Sequence, residues 1–182
     1  SMQTFKPHKY QKQAIRFLMG HPAAGLFQSM GMGKTVTVLT YLDILKNDCF
    51  DLSKCLIVAP KRVAEDTWPS EIRKWEHLKD LSFIEVRGTP KQRKEALEKE
   101  ADLYIITRDL IAWLVDYLSP DWPFETVILD ELSSFKSHQS QRFKKLRTVR
   151  PRMKRIVGLT GTPAPNGYLD LWSQLFLLDR GE

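Results

Sequence analysis

The chain has 182 residues, of which 42% are hydrophobic and 27% are charged, so it can build the core of one globular domain. These values exclude a disordered chain, and no apolar run is long enough to predict a transmembrane helix. The formal net charge of +6 is unevenly placed, because residues 136–155 contain nine Lys or Arg and no Asp or Glu; this stretch favours a polyanionic partner over a merely solvated helix face.

Two features bear on the cellular compartment. Cys49 and Cys55 allow at most one disulfide and match no zinc or redox spacing, which is typical of a reducing compartment. The N-terminus lacks the charged and then apolar pattern of a secretory signal peptide. We therefore expect a cytoplasmic protein without a membrane partner.

Short apolar runs alternate with longer amphipathic stretches along the chain. The apolar runs predict buried strands at residues 25–28, 55–59, 83–86, 103–107, 127–129 and 156–159. The amphipathic stretches predict helices at residues 35–46, 70–77, 91–100, 109–118, 139–147 and 168–178. Because strand and helix alternate, the strands should form a mostly parallel sheet with right-handed crossovers. The sequence thus predicts an α/β three-layer sandwich formed by residues 1–182 as one domain.

Residues 28–35 read Gln-Ser-Met-Gly-Met-Gly-Lys-Thr and lie between a predicted strand and a predicted helix, as a phosphate-binding loop requires. Gly31 and Gly33 let the backbone curl so that several N–H groups point at one phosphate. We expect Lys34 to contact the β- and γ-phosphates of ATP and Thr35 to bind Mg²⁺. The expected nucleotide contacts in this loop are Met30, Gly31, Met32, Gly33, Lys34 and Thr35.

Two adjacent carboxylates follow the predicted strand 127–129, at the edge where a parallel sheet holds its ligands. Asp130 is expected to hold Mg²⁺, and Glu131 to orient and deprotonate the attacking water. Alone, this pair is as typical of a solvated turn as of an active site. Together with the phosphate loop it predicts ATP hydrolysis, with Lys34, Asp130 and Glu131 as the catalytic residues.

Further motifs occur in the order found in helicase superfamily 2, in forms that resemble its Swi/Snf-type ATPases. Residues 7–11, Pro-His-Lys-Tyr-Gln, resemble the Q-type motif, which implies that Gln11 reads adenine. Asp-Thr-Trp at 66–68 and Glu-Ile-Arg-Lys-Trp at 71–75 resemble a helix typical of the family. Residues 159–166 resemble the third motif, followed by a helix with Leu-Asp-Leu-Trp. The resemblance implies that Thr160, Gly161 and Thr162 couple hydrolysis to motion.

Two other segments resemble the motifs with which this family contacts nucleic acid. They are Cys-Leu-Ile-Val-Ala-Pro-Lys at 55–61 and Tyr-Ile-Ile-Thr-Arg at 104–108. The resemblance implies that duplex DNA is bound through its phosphates by Lys61, Arg62, Thr107 and Arg108. We expect this track across the sheet face opposite the helix that follows the phosphate loop.

The resemblance covers nearly the whole chain and implies a RecA-like P-loop NTPase lobe, the first of two, with the second lobe absent from this chain. It implies an ATPase that moves along duplex DNA and uses ATP and Mg²⁺. Because an arginine of the second lobe completes such sites, the lobe alone should be nearly inactive. The sequence departs from the family at Ser133, where histidine is usual, and at Pro165, where glutamine is common.

Three alternatives remain at this point. Two are close: a DExD/H-type helicase that unwinds RNA or DNA, and a motor subunit of a restriction enzyme. The third is a nucleotide-dependent binding module without enzymatic activity.

Tryptophan side chains can serve as base-stacking platforms in proteins that bind nucleic acid. Trp68, Trp75, Trp113 and Trp172 fall on apolar faces of predicted helices, however. We therefore predict that these four are core residues.

Overall fold

The computed structural model describes residues 1–27, 33–132 and 141–161. Six strands form one sheet: β1 (Ala23–Phe27), β2 (Cys55–Ala59), β3 (Phe83–Glu85), β4 (Leu103–Thr107), β5 (Thr126–Leu129) and β6 (Arg155–Thr160). Their order is β1-β6-β5-β2-β4-β3, and every pair in it is parallel. The predicted α/β fold is confirmed, with each predicted strand found within a few residues of its place.

The helices of the described residues are α1 (Lys9–Gly20), α2 (Lys34–Asn47), α3 (Trp68–Lys74), α4 (Pro90–Glu98), α5 (Ile111–Leu118) and α6 (Gln141–Val149). A π-helical turn, Val63–Thr67, precedes α3, and a 3₁₀ turn, Arg108–Leu110, precedes α5. None of these helices is long and apolar enough to cross a membrane. The predicted helix 168–178 lies outside the described residues.

Two helix predictions need correction. We did not predict α1, which buries only Gln11 and Leu18. Helix α3 begins at Trp68 and ends at Lys74, whereas we predicted residues 70–77. It ends early because Trp75 has an extended backbone and forms a parallel bridge with Gln3. A tertiary contact therefore overrides the helical pattern.

Both faces of the sheet are covered by side chains. Alternate residues of a strand face opposite sides, so β2 contributes Leu56 and Val58 to one hydrophobic cluster and Ile57 and Ala59 to the other. The first cluster includes buried residues of α4, α5 and α6, and the second includes buried residues of α1, α2 and α3. These three layers leave the edges of the sheet as the places where polar chemistry is accessible.

Helix α2 starts from a glycine in the left-handed conformation. Gly33 has φ +87°, and its carbonyl accepts hydrogen bonds from the backbone N–H and the hydroxyl of Thr37. A Cβ at this position would lie 2.8 Å from Nε2 of Gln11, which is itself buried. The left-handed backbone angle therefore favours glycine here, and a Cβ would also displace the amide of Gln11.

The N-terminal segment is fastened to the end of α3. The backbone N–H of Gln3 donates to the carbonyl of Lys74 (2.8 Å), and that of Glu76 donates to the carbonyl of Gln3 (2.8 Å). The ring of Phe5 stacks on His77, with the ring centroids 5.1 Å apart. These contacts hold the segment beside α2 and α3.

His77 is partly buried and makes one hydrogen bond through its ring. The hydroxyl of Thr40 donates to the carbonyl of Val36 (2.7 Å), so Nε2 of His77 is the donor in its 2.8 Å contact with that hydroxyl. The other ring nitrogen, Nδ1, is buried without a hydrogen-bond partner among the described residues. Burial lowers the pKa of His77, while nearby Asp43 opposes this shift.

Replacing Gly33 should destabilise the fold. We expect Gly33→Ala to lower the free energy of unfolding by about 1–2 kcal/mol, the usual cost of a left-handed conformation for an L-residue. Gly20→Ala is the control, because in the described part of the chain nothing beyond its own neighbours and helix backbone lies within 4 Å of the added Cβ, and it should leave stability unchanged or raise it by up to about 1 kcal/mol. Urea unfolding measures both; an equal effect of the two changes would contradict the prediction.

Acid should destabilise the protein partly through His77. Because burial lowers its folded-state pKa below the ordinary 6.5, the unfolded state takes up the proton first, and stability decreases as pH falls from about 6.5 towards the folded-state pKa. His77→Gln cannot titrate but keeps an N–H donor for Thr40. The stability advantage of the original chain over this variant should shrink between pH 7.5 and 5.5. Parallel pH curves from urea unfolding would show that His77 contributes nothing.

Candidate nucleotide-binding site

The carboxylate of Asp130 is buried at the carboxyl edge of the sheet, directly after β5. Its side chain is 1% exposed, and Nζ of Lys34 lies 3.0 Å from Oδ1. The other oxygen, Oδ2, accepts a 2.8 Å hydrogen bond from Nε1 of Trp68. A buried carboxylate is tolerated when both charge and hydrogen bonds compensate it. The structure thus brings together two residues that the sequence assigned to one site.

Trp68 is a functional candidate that sequence reasoning missed. The prediction that it is a core residue is confirmed, since it is 0% exposed. The helical pattern of the sequence places Trp68 on an apolar face, and this pattern does not indicate that the indole N–H donates to a carboxylate. The available signal was chemical, because a buried tryptophan needs an acceptor. Trp75 and Trp113 pack partly buried against the clusters, and Trp172 lies outside the described residues.

Glu131 follows Asp130 in an unusual backbone conformation. Its φ is +58°, in the left-handed region, which costs a residue with a side chain about 1–2 kcal/mol. Strain of this kind is concentrated at functional sites. Glu131 is half-buried and directly follows Asp130 at the end of β5. The position agrees with the predicted role, which stays a prediction.

The residues expected around the nucleotide meet at the start of α2. Thr35 is 3% exposed in the first turn of the helix. Gln11 in α1 donates from Nε2 to the carbonyl of Gly33 (3.3 Å) and accepts at Oε1 from the backbone N–H of His8 (2.8 Å). Gln11 therefore links α1 to the phosphate loop's helix. Met30, Gly31 and Met32 lie outside the described residues.

A cavity of about 500 Å³ opens beside Gln11 and Gly33, within the range of ligand sites. The N-terminal segment, α1, α2 and the end of α3 form its walls, with Tyr10, Val36 and Trp75 among the lining residues. Aromatic and polar groups in this lining fit a nucleobase and ribose. The cavity adjoins the first residues of α2, so a ligand bound in it would extend towards Lys34.

The third group of predicted residues follows β6. Thr160 ends this strand and Gly161 follows it, both half-buried, while Thr162 lies outside the described residues. Strand β6 lies between β1 and β5 in the sheet. Thr160 and Gly161 are therefore on the same edge, between the end of β1 and Asp130, and their coupling role stays a prediction.

The predicted nucleic-acid contacts lie on the other side of Asp130. Lys61 and Arg62 are exposed after β2, and Thr107 and Arg108 are half-buried at the end of β4. The two strands are neighbours, with Ala59 opposite Thr107. The expected track across a sheet face needs correction, because side chains pack over both faces. The four residues line the carboxyl edge instead.

Much of the basic stretch 136–155 serves internal contacts in the part that the structure describes. Arg142 pairs with Asp109 and Lys145 with Asp116, each at 2.6 Å. Lys154 and Arg155 both pair with Asp51 at the opposite, amino edge of the sheet, and Arg150 is 5% exposed. Four of the nine basic residues in this stretch therefore pair with carboxylates of the chain itself.

Comparison with known proteins agrees with this arrangement. The family model of the SNF2-related domain matches residues 10–181. Protein p41 of Acyrthosiphon pisum secondary endosymbiont phage 1 is 38% identical over 100% of this chain. The ISWI chromatin-remodeling complex ATPase ISW1 of Saccharomyces cerevisiae is 28% identical over 93% of it. The chain spans only 41% of p41 and 15% of ISW1.

A solved structure has the same fold. The Sulfolobus solfataricus SWI2/SNF2 ATPase core in complex with dsDNA matches with a TM-score of 0.73 at 22% identity. The match covers 99% of this chain and 38% of that one, and it confirms the predicted RecA-like fold. With a family model that matches almost its entire length, the chain belongs to the SNF2-related family.

Proposed function

We propose that this chain is the ATP-binding lobe of a DNA-dependent ATPase that moves along duplex DNA. The observation that carries the proposal is the contact of Lys34 with the buried Asp130 at the carboxyl edge, next to Glu131. In a chain of the SNF2-related family, a lysine at a helix start and two carboxylates at a strand end are the groups that phosphoryl transfer requires.

The residues present fit a magnesium nucleotide. Lys34 is bound to Asp130 through a side chain that is 13% exposed, so its ammonium can exchange this partner for phosphate oxygens. The hydroxyl of Thr35 and the carboxylate of Asp130 are the oxygen ligands that Mg²⁺ prefers. Bound Mg²⁺ supplies charge neutralisation at the β- and γ-phosphates.

Glu131 is the proposed general base. Its carboxylate accepts a proton from the attacking water while the water oxygen forms a bond to the γ-phosphorus and the bond from that phosphorus to the ADP oxygen breaks. The left-handed backbone at Glu131 supports this role, because it sets the position of this side chain differently from that of Asp130.

Duplex DNA is the proposed polymer. Exposed Lys61 and Arg62, with Arg108 on the neighbouring strand end, offer charges for phosphates, and phosphate contacts carry no direct sequence information. The solved SNF2 core that shares the fold is a complex with dsDNA, and this similarity supports duplex over single strands. Binding should be salt-sensitive and nearly independent of sequence.

A second RecA-like lobe is the proposed partner within the working enzyme. The chain spans less than half of p41 and of the solved SNF2 chain, and an arginine supplied from outside a P-loop lobe raises turnover about 10³- to 10⁵-fold. We therefore expect the 182-residue chain to bind nucleotide but to hydrolyse it very slowly by itself.

Removing Lys34 should weaken nucleotide binding. We expect Lys34→Ala to lower the affinity for a fluorescent ATP analogue by at least about 10- to 100-fold, the worth of a charge-assisted hydrogen bond of about 1.5–3 kcal/mol. Lys46→Ala is the matched control, since it removes a lysine–aspartate pair at the other end of the same helix. Thermal unfolding checks that both variants are folded. Equal affinity in both would refute the role of Lys34.

The ATPase activity of the two-lobed protein tests the function itself. Duplex DNA should stimulate hydrolysis more than single-stranded DNA or RNA. Glu131→Gln should retain ATP binding and lose at least about 100-fold in turnover, the usual contribution of a general base. Stimulation chiefly by RNA or single strands would indicate an unwinding helicase, and no hydrolysis under any condition would indicate a binding module.

A further inference from the structure

The two oxygens of Asp130 have partners of different kinds. Oδ1 contacts Lys34, a flexible side chain that is partly exposed and belongs to the phosphate loop's helix. Oδ2 contacts the indole N–H of Trp68, which is 0% exposed. The backbone N–H of Asp130 donates to the carbonyl of Val58 (2.8 Å) and so extends the β2–β5 pairing to this residue. Oδ2 thus has a fully buried partner, whereas the partner of Oδ1 is partly exposed and can be exchanged.

Trp68 cannot easily turn away. It is the first residue of α3 and packs within the cluster that contains Leu39, Ile57 and Ile128. The preceding π-helical turn ends with the N–H of Trp68 bonded to the carbonyl of Val63. Single π turns of this kind often occur at functional sites. The ring and the backbone of Trp68 are therefore both held, and the direction of its N–H is set.

Packing alone does not require this partner. Trp122, also buried, satisfies its indole N–H with the backbone carbonyl of Phe124 at 2.8 Å, in the other hydrophobic cluster. Trp68 instead donates to a carboxylate at the proposed catalytic edge. A hydrogen bond from a fixed donor to a charged acceptor orients that acceptor as well as stabilising it.

We propose that Trp68 is a positioning residue that fixes the Asp130 carboxylate for Mg²⁺. It occupies Oδ2, so that Oδ1 is the oxygen that Lys34 releases when a nucleotide arrives and that then serves the metal. This inference rests on the proposed function. Under this proposal, Trp68 affects how strongly nucleotide binding depends on Mg²⁺. The affinity for nucleotide in the absence of Mg²⁺ depends instead on Lys34 and the cavity.

The test compares Trp68→Phe with Trp122→Phe. Both remove a buried indole N–H and keep an aromatic ring, but only the first touches Asp130. Binding of a fluorescent ATP analogue is titrated with Mg²⁺ and repeated in EDTA. Trp68→Phe should raise the Mg²⁺ concentration at half-saturation about 10- to 100-fold, as the loss of a partner behind a metal ligand does. Affinity in EDTA should change less than about twofold.

Rescue separates positioning from general damage. Excess Mg²⁺ should restore nucleotide affinity in Trp68→Phe, whereas a merely disturbed core would not respond to the metal. Trp122→Phe should match the original chain throughout. An unchanged Mg²⁺ midpoint in Trp68→Phe, or the same shift in both variants, would overturn the proposal. If the original chain bound no nucleotide, or bound it without regard to Mg²⁺, the proposed function would fail and this inference with it.

A second measurement covers the case in which Trp68→Phe does not fold. The indole resonances of the original chain, labelled with ¹⁵N-tryptophan, are assigned by single Trp→Phe changes at the other four positions. With the ATP analogue present, replacing EDTA by Mg²⁺ should shift the Trp68 indole signal and leave that of Trp122 in place. A stationary Trp68 signal would overturn the proposal.

Discussion

The arrangement of this lobe depends on how it keeps one carboxylate out of water. Asp130 is buried at the end of a central strand, where an uncompensated charge would strongly destabilise the fold. Lys34 comes from the helix after the phosphate loop and Trp68 from the helix after β2, so the compensation comes from two segments far apart in sequence. The same contact that stabilises the fold therefore assembles the candidate site, and in the proposed function a bound nucleotide replaces part of it.

The parallel sheet explains why the predicted site residues lie along one edge. All strands of the described part are parallel and both faces are covered, so the residues that follow the strands lie at the carboxyl edge. The strand order sets the sequence of these residues along the edge. The residues that follow β1 come first and those that follow β6 come second. Asp130, after β5, lies between them and the basic residues that follow β2 and β4. A nucleotide and a nucleic acid can thus occupy opposite halves of one edge, with Asp130 and Glu131 between them.

Local pattern predicted some features well and others poorly. The strands were predictable because continuous apolar runs such as β2 are buried on both faces. The end of α3 was not, because Trp75 leaves the helix to pair with Gln3, a contact that no local pattern contains. The contacts of residues 136–155 were not predictable for the same reason, since Asp51, Asp109 and Asp116 pair with four of their nine basic residues from distant positions.

The sequence by itself determined which functional groups are present and in what order. They are a glycine-rich segment ending in Lys34 and Thr35, a strand followed by Asp130 and Glu131, and an order of motifs that identifies the family. Residue types and their spacing suffice for this, because phosphate and metal binding need particular groups in a particular local context. Only the tertiary structure decided which groups share a partner. Trp68 donates to Asp130, and Gln11 donates to the carbonyl of Gly33. Both contacts depend on tertiary packing, which brings residues that are distant in sequence within hydrogen-bond distance. Such packing produces no periodic pattern in the sequence.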